Sequence, residues 1–391
     1  MSFHVFHSDF MKKGSGSISA VSTTKWGKPP WMIDFCPPLQ PLPDKVNVAV
    51  IGGGFTGLSA AARIAKLAPR KHVAVFEAET IGAGSSGHTG GMALAETAAG
   101  NMPGLGDVLT GVSGIIREFA IDCDFSLRGV WELGRSGRSS ESPIQWRDSG
   151  ELRVVSELPG GSVDPGKLVS GLARAATRYG AVIYPNARVE EIRFGDPLMF
   201  KVNGKEIRAD HILVGTNAES LELSALAKRA EPKFTLALAT GRLTKRQLRE
   251  LGLESGRSFY TEDLPYLWGR IFRENRLIFG SGLVSLSDWR DLLTLDVTRG
   301  EAARLMKRLE RRVRGLHRQL RDVDVTHRWG GPILIAKDWQ PVFSRHPKSD
   351  KVLVLGAYGG HGVALSMYLG SWAAEVVLNR RELPNWPSAL S

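Results

Sequence analysis

The run that most constrains this chain lies near its start, where Val46-Asn47-Val48-Ala49-Val50-Ile51 passes directly into Gly52-Gly53-Gly54-Phe55-Thr56-Gly57. An apolar strand thus opens onto G-x-G-x-x-G, with its glycines at 52, 54 and 57. The segment Leu58 to Leu67 then sets Ala60, Ala61, Ile64, Ala65 and Leu67 at helical spacing, and a second strand, His72 to Phe76, ends on Glu77. Each part has a physical task. Gly52 allows the tight turn, Gly54 lets the backbone approach a pyrophosphate, and Gly57 lets helix and strand pack closely. The helix start offers free N–H groups and a positive dipole end to the phosphates. Glu77 accepts hydrogen bonds from a ribose diol and disfavours a 2′-phosphate. The combination predicts a dinucleotide site and leaves NAD and FAD both open.

At 391 residues the chain buries a large core, in two expected domains. Its two cysteines, Cys36 and Cys123, have neither metal-ligand spacing nor a disulfide framework, which points to no metal and a reducing, cytoplasmic setting. The net charge of +11 raises nucleic acid or a membrane surface as partners. Much of that charge falls in Glu301 to Arg321, where Ala302, Leu305, Met306, Leu309, Val313, Leu316 and Leu320 follow helical spacing. Arginines and lysines fill the other faces, so the stretch reads as a surface helix with a solvated basic side. It carries no RNA-binding signature, and no nucleic-acid partner is expected. No signal peptide is evident. Val352 to Leu378 is apolar enough to suggest a membrane span, but Gly356, Gly359, Gly360 and Gly362 interrupt it. The expectation is a strand Val352–Leu355, a glycine turn, and a buried helix from about Val363.

Residues 1–45 form a Pro-, Gly- and Ser-rich extension. Trp26, Trp31 and Phe35 are costly to leave bare, so its second half is expected to strap across the body. The first twenty residues are expected to be disordered. Gly82-Ala83-Gly84-Ser85-Ser86-Gly87-His88-Thr89-Gly90-Gly91 suggests backbone lying against a flat ligand. Asp164 and Pro165 open a helix as N-cap and first helical residue. Ile212–Ala218 reads as a strand ending in a turn. Residues 233–325 mix short strands and helices in a way that suggests a separate substrate domain.

On these separated motifs the chain resembles the D-amino-acid oxidase-like superfamily of FAD enzymes, which includes glycine, sarcosine and gamma-glutamylputrescine oxidases. The Gly82–Gly91 stretch resembles the family's G-A-S-G-x-x-G-G. Val163–Leu168 resembles its V-x-P-x-x-L helix start, and Ile212–Ala218 its strand closing the FAD site. The strap Trp26-Gly27-Lys28-Pro29-Pro30-Trp31 and Gly359-Gly360-His361-Gly362-Val363 place the chain nearest the gamma-glutamylputrescine oxidase branch. The resemblance implies an α/β (α+β) fold, with a discontinuous Rossmann-like FAD-binding domain over 46–110, 163–232 and 326–391. An antiparallel-sheet substrate domain would comprise 111–162 and 233–325.

The cofactor implied is FAD, bound non-covalently. Gly52, Gly54, Phe55, Thr56 and Gly57 would take the pyrophosphate, and Glu77 and Ala78 the ribose. Gly84, Ser85, Ser86, His88, Thr89, Gly90, Gly91 and Met92 would run along the flavin. Val189, Thr216, Asn217 and Gly330 would close the site. Gly359, Gly360, His361, Gly362 and Val363 would form a last turn whose helix start favours negative charge on the reduced flavin. The reaction implied is hydride transfer from the carbon beside an amine nitrogen to flavin N5, followed by imine hydrolysis and reoxidation by oxygen. Transfer to a quinone or carrier protein is the alternative, and an RNA-modifying flavoprotein a third reading raised by the charge alone. Relatives hold a substrate carboxylate with an arginine just before a proline, whereas here the order is Arg328-Trp329-Gly330-Gly331-Pro332. An amine therefore fits at least as well as an α-amino acid. The catalytic candidates are Trp268, Arg270, His327 and Trp329, with Tyr260 and Tyr266 as further aromatic walls.

Overall fold

The computed structural model describes residues 25–135 and 142–386. The first twenty residues, expected to be disordered, lie outside the described residues.

The first sheet grows outward from the strand Lys45–Ile51. Parallel neighbours flank it: Lys205–Val214 and then Ser349–Gly356 on one side, Val73–Phe76 and then Val182–Tyr184 on the other. Val342–His346 adds an antiparallel edge, and the hairpin Val189–Arg193/Leu198–Val202 pairs with the start of Lys205–Val214. Central parallel strands are covered on both faces, which is why Val46–Ile51 reads as a nearly unbroken apolar run. Val48 and Val50 enter one core cluster, Val46, Ala49 and Ile51 the other.

Helices Phe55–Leu67, Pro165–Arg178 and Gly362–Val377 share the cluster of Val48 and Val50. Asp164 caps the second of these, accepting from the Lys167 N–H at 2.9 Å, with Pro165 in the first turn. The third lies close on the first because Gly370 has no side chain; a Cβ there would stand 2.3 Å from the Thr56 carbonyl oxygen. The apolar stretch 352–378 is thus a strand, a glycine turn and a buried helix. Among the described residues no helix is long and apolar enough to cross a membrane.

The second sheet has eight strands in the order Val325–Ala336, Ala230–Arg242, Arg276–Ser285, Leu267–Phe272, Ser258–Thr261, Val130–Gly134, Glu151–Leu158, Trp146–Arg147. Its pairs are antiparallel except Ser258–Thr261 with Val130–Gly134, which run parallel. That pair is where the two separated insertions meet, so no hairpin dictates its direction. Val325–Ala336 pairs along its length with Ala230–Arg242 and belongs to this sheet. This corrects the expected start of the last FAD segment at 326: the strand must traverse the second sheet before the chain returns to the first. The basic helix is Gly300–Leu316, and it packs on this sheet through Leu309 and Val313.

The N-terminal strap runs across the second sheet. Trp26 and Trp31 are buried, their indole N–H groups donating to the Leu292 carbonyl at 3.0 Å and the Gly87 carbonyl at 2.7 Å. Gly27 bridges Trp329.

Candidate active site

A single cavity of about 1790 Å³ runs from the C-terminal ends of the parallel strands to the face of the second sheet. Such ends are where open α/β sheets bind ligands. The glycine turn forms one end. Gly52 takes φ +105°, and a Cβ on Gly57 would lie 2.0 Å from the Gly52 carbonyl oxygen, so the helix can start this close to the strand only with glycine there. The Phe55 N–H donates to Ser86 Oγ at 2.9 Å, drawing the Gly82–Gly91 segment onto the helix start. Thr56 Oγ1 and the Tyr358 hydroxyl share a hydrogen bond of 2.8 Å, tying in the last glycine turn. Asn217 closes the third side, donating to Ser85 Oγ at 3.1 Å and accepting from the Ala357 N–H at 3.1 Å.

All the cofactor residues proposed from sequence line this cavity except Gly57 and Gly91. Gly57 lies under the turn. Gly91 is packed against the Val163 carbonyl and the Arg270 guanidinium, where a Cβ would be 2.5 and 2.8 Å away. Thr216 Oγ1, His361 Nδ1 and Ser366 Oγ are buried without a protein partner, and their residues line the cavity. Orphaned polar atoms around a glycine-walled slot suit a flat, polar ligand such as FAD.

Glu77 is held in place by backbone, accepting from the Gly53 N–H at 2.7 Å and the Glu79 N–H at 2.9 Å. Burial raises its pKa above the ordinary carboxylate value, and those two donors oppose the rise. Sequence reasoning missed Glu219 and Arg188, which line the same end. Burial, reinforced by the charge of Glu77, pushes Glu219 up to about 7, and Arg188 pulls the other way. Both residues follow strands of the parallel sheet, so the strand-end rule was a usable signal for them.

At the other end the aromatic wall comprises Tyr260, Tyr266 and Trp268. The Trp268 ring lies directly against Gly90 and Gly280, where added Cβ atoms would be 2.2 and 1.9 Å from it. Of the four catalytic candidates, only Trp268 lines the cavity. Arg270 is buried behind the glycine segment, its Nε donating to the Gly90 carbonyl at 2.5 Å. His327 is half-buried beside Thr326, away from the cavity. Trp329 is fully buried in a cluster with Trp31 and Phe272, its indole N–H donating to the His88 carbonyl at 3.0 Å. These three catalytic candidates therefore do not face the cavity. The reason is local: Gly330 and Gly331 face the cavity, while the Trp329 ring fills the space beneath the strap. Arg328 points away and pairs with Glu310 at 2.6 Å. His88 has its Nδ1 3.0 Å from the Gly84 carbonyl and its ring edge-on to Trp26, and burial lowers its pKa.

The chain is similar in sequence to gamma-glutamylputrescine oxidoreductase of Escherichia coli (strain K12), 27% identical over 87% of each chain. Among solved structures, glycine oxidase from Geobacillus kaustophilus superposes with a TM-score of 0.71 at 20% identity, covering 89% of this chain and 99% of that one. L-proline dehydrogenase from P. horikoshii gives 0.69 at 17% identity, covering 89% and 98%. The profile of the FAD dependent oxidoreductase family, DAO, matches residues 47–376, which span the glycine turn, both sheets and the last helix, and the chain belongs to that family.

Proposed function

We propose that this enzyme oxidises a C–N bond of an amine or N-substituted amino compound. Hydride leaves the carbon beside the nitrogen, the imine product hydrolyses in water, and oxygen is the final acceptor. FAD is the cofactor of the family, and when bound it supplies the two-electron acceptor. The Gly52–Gly57 turn and the start of helix Phe55–Leu67 would take its pyrophosphate, and Glu77 its ribose. The start of helix Gly362–Val377 would favour negative charge at the flavin end.

The chain's own contribution is positioning and desolvation. Tyr260 and Trp268 wall the cavity, exclude water, and orient the C–H to be broken, and Tyr266 stands at its rim. Burial there disfavours the ammonium and favours the reactive neutral amine. No protein nucleophile is required. The observation that carries the reading is the placement of Trp268 against Gly90, which joins the aromatic wall to the glycine segment in one cavity. With Arg328 engaged by Glu310, that strand brings no guanidinium to the cavity for an α-carboxylate, which favours an amine. The similar E. coli protein is named for gamma-glutamylputrescine, and the superposed G. kaustophilus protein for glycine. Non-covalent FAD is supported by the engagement of His88 with Gly84, and a cytoplasmic setting by two free cysteines.

Anaerobic bleaching of the flavin against a panel of amines and amino acids tests the proposal. Bleaching by simple or N-alkylated amines is expected; a panel in which none bleaches the flavin overturns it. Peroxide formed in air distinguishes the oxidase from a quinone- or carrier-linked dehydrogenase.

A further inference from the structure

Resting on that reading, we propose that Arg308 and Arg311 form a site for a carboxylate at the far end of an elongated amine substrate. The helix Gly300–Leu316 is not simply a solvated surface element: one of its faces walls the cavity through Leu305, Arg308, Leu309, Arg311 and Arg312. Residues three and four apart share a helix face, so Arg308 and Arg311 act together.

The pairing of the helix's arginines separates these two from their neighbours. Arg312 is committed, bonding Asp148 at 2.5 and 3.0 Å, the Pro265 carbonyl at 2.7 Å and Ser281 Oγ at 3.1 Å. Those contacts anchor the helix to the cavity wall. Arg314 pairs with Glu310 at 3.0 Å. Among the described residues, Arg308 and Arg311 have no hydrogen bond or ion pair, although both line the cavity.

The cavity holds charge of both signs. Glu96 and Glu132 lie close enough to Tyr260 to reinforce the effect of its burial, which together push the phenol up to about 12. An ammonium is drawn to that carboxylate-rich region before it loses its proton against the buried wall, and an anion to the two guanidiniums. The same cavity also presents exposed apolar side chains at Leu264 (71%), Tyr266 (46%) and Leu283 (43%), beside the Arg135–Asp263 ion pair. A methylene chain linking an amine to a carboxylate matches a cavity that offers carboxylates, apolar surface and unpaired guanidiniums together. It places the carboxylate well away from the carbon being oxidised, which agrees with Arg328 being turned out of the cavity.

The test uses the FAD-loaded full chain and two homologous series, ω-aminoalkanoates of four to eight carbons and n-alkylamines of the same lengths. Dissociation constants come from perturbation of the flavin spectrum under anaerobic conditions. At one or more lengths the aminoalkanoate is expected to bind about tenfold or more tighter than its alkylamine, as charge-assisted hydrogen bonding provides. In the double variant Arg308→Gln/Arg311→Gln the ratio should fall to near one. Arg304→Gln/Lys307→Gln, the same charge change at residues of this helix outside the cavity lining, should preserve it. The proposal is overturned if no aminoalkanoate binds more tightly than its alkylamine, or if the preference survives in the double variant. Failure of the C–N oxidation reading is separate: it shows as binding without bleaching by any amine.

Discussion

Glu219 offers a quantitative check on the electrostatics of the cofactor end. Burial, with the charge of Glu77, pushes its carboxyl up to about 7 from an ordinary value of 4.5. Between those values the folded state holds a proton that the unfolded state has released. Stability therefore falls as pH rises through this window, by about 1.4 kcal/mol per pH unit. Its full contribution is present below the unfolded value and lost above the folded one. Over the whole window the loss amounts to about 3 kcal/mol. Glu219→Gln removes the titration and keeps the shape. In urea denaturation of the FAD-free protein, the variant should exceed wild type in stability by only about 1 kcal/mol at pH 5. At pH 8.5 the variant should be the more stable, by up to about 3 kcal/mol. Equal midpoints at both pH values would refute the reasoning, because Arg188 would then be compensating the carboxylate fully.

Gly57→Ala should abolish FAD retention and lower folding stability, since its Cβ would sit 2.0 Å from a backbone carbonyl oxygen that the parallel strands hold fixed; flavin absorbance per chain reads this directly. Trp268→Ala should keep FAD bound yet slow anaerobic flavin reduction, by about tenfold or more if lost orientation costs upward of about 1.4 kcal/mol; an unchanged rate in stopped-flow would remove Trp268 from the site. Flavin reduction by amines should accelerate between pH 7 and 9, as the neutral fraction of the amine grows; a flat profile counts against a neutral-amine reaction. Acid precipitation should release all the FAD into the supernatant, and flavin fluorescence retained on the denatured chain would show a covalent link.

Much of the cofactor end was legible in the sequence because local geometry forces its residues. A strand that must turn sharply into a helix over a pyrophosphate needs glycine at fixed intervals, and Gly52, Gly54 and Gly57 state that need within six positions. The same holds for the Gly82–Gly91 segment, the Asp164–Pro165 helix start and the glycine turn before Gly362. Substrate-end residues obey no such local rule. Trp268 and Trp329 both lie on strands of the second sheet, yet only Trp268 faces the cavity, because Trp329 is drawn beneath a strap that is distant in sequence. His327 and Arg270 were misjudged for the same reason: strand position was readable, but the partner on each face was not. Glu219 and Arg188 follow strand ends that the sequence placed, but their approach to Glu77 depended on how the parallel strands set the following loops. The basic helix shows the division most plainly. Its periodicity gave a buried face and a charged one, but whether that charge met water, acid or cavity depended on packing against the second sheet. Sequence alone determined the elements and the cofactor cradle, where each residue answers to its immediate neighbours. Only the tertiary structure decided which arginines were left unpaired among the described residues, since pairing depends on distant segments brought within a few ångströms.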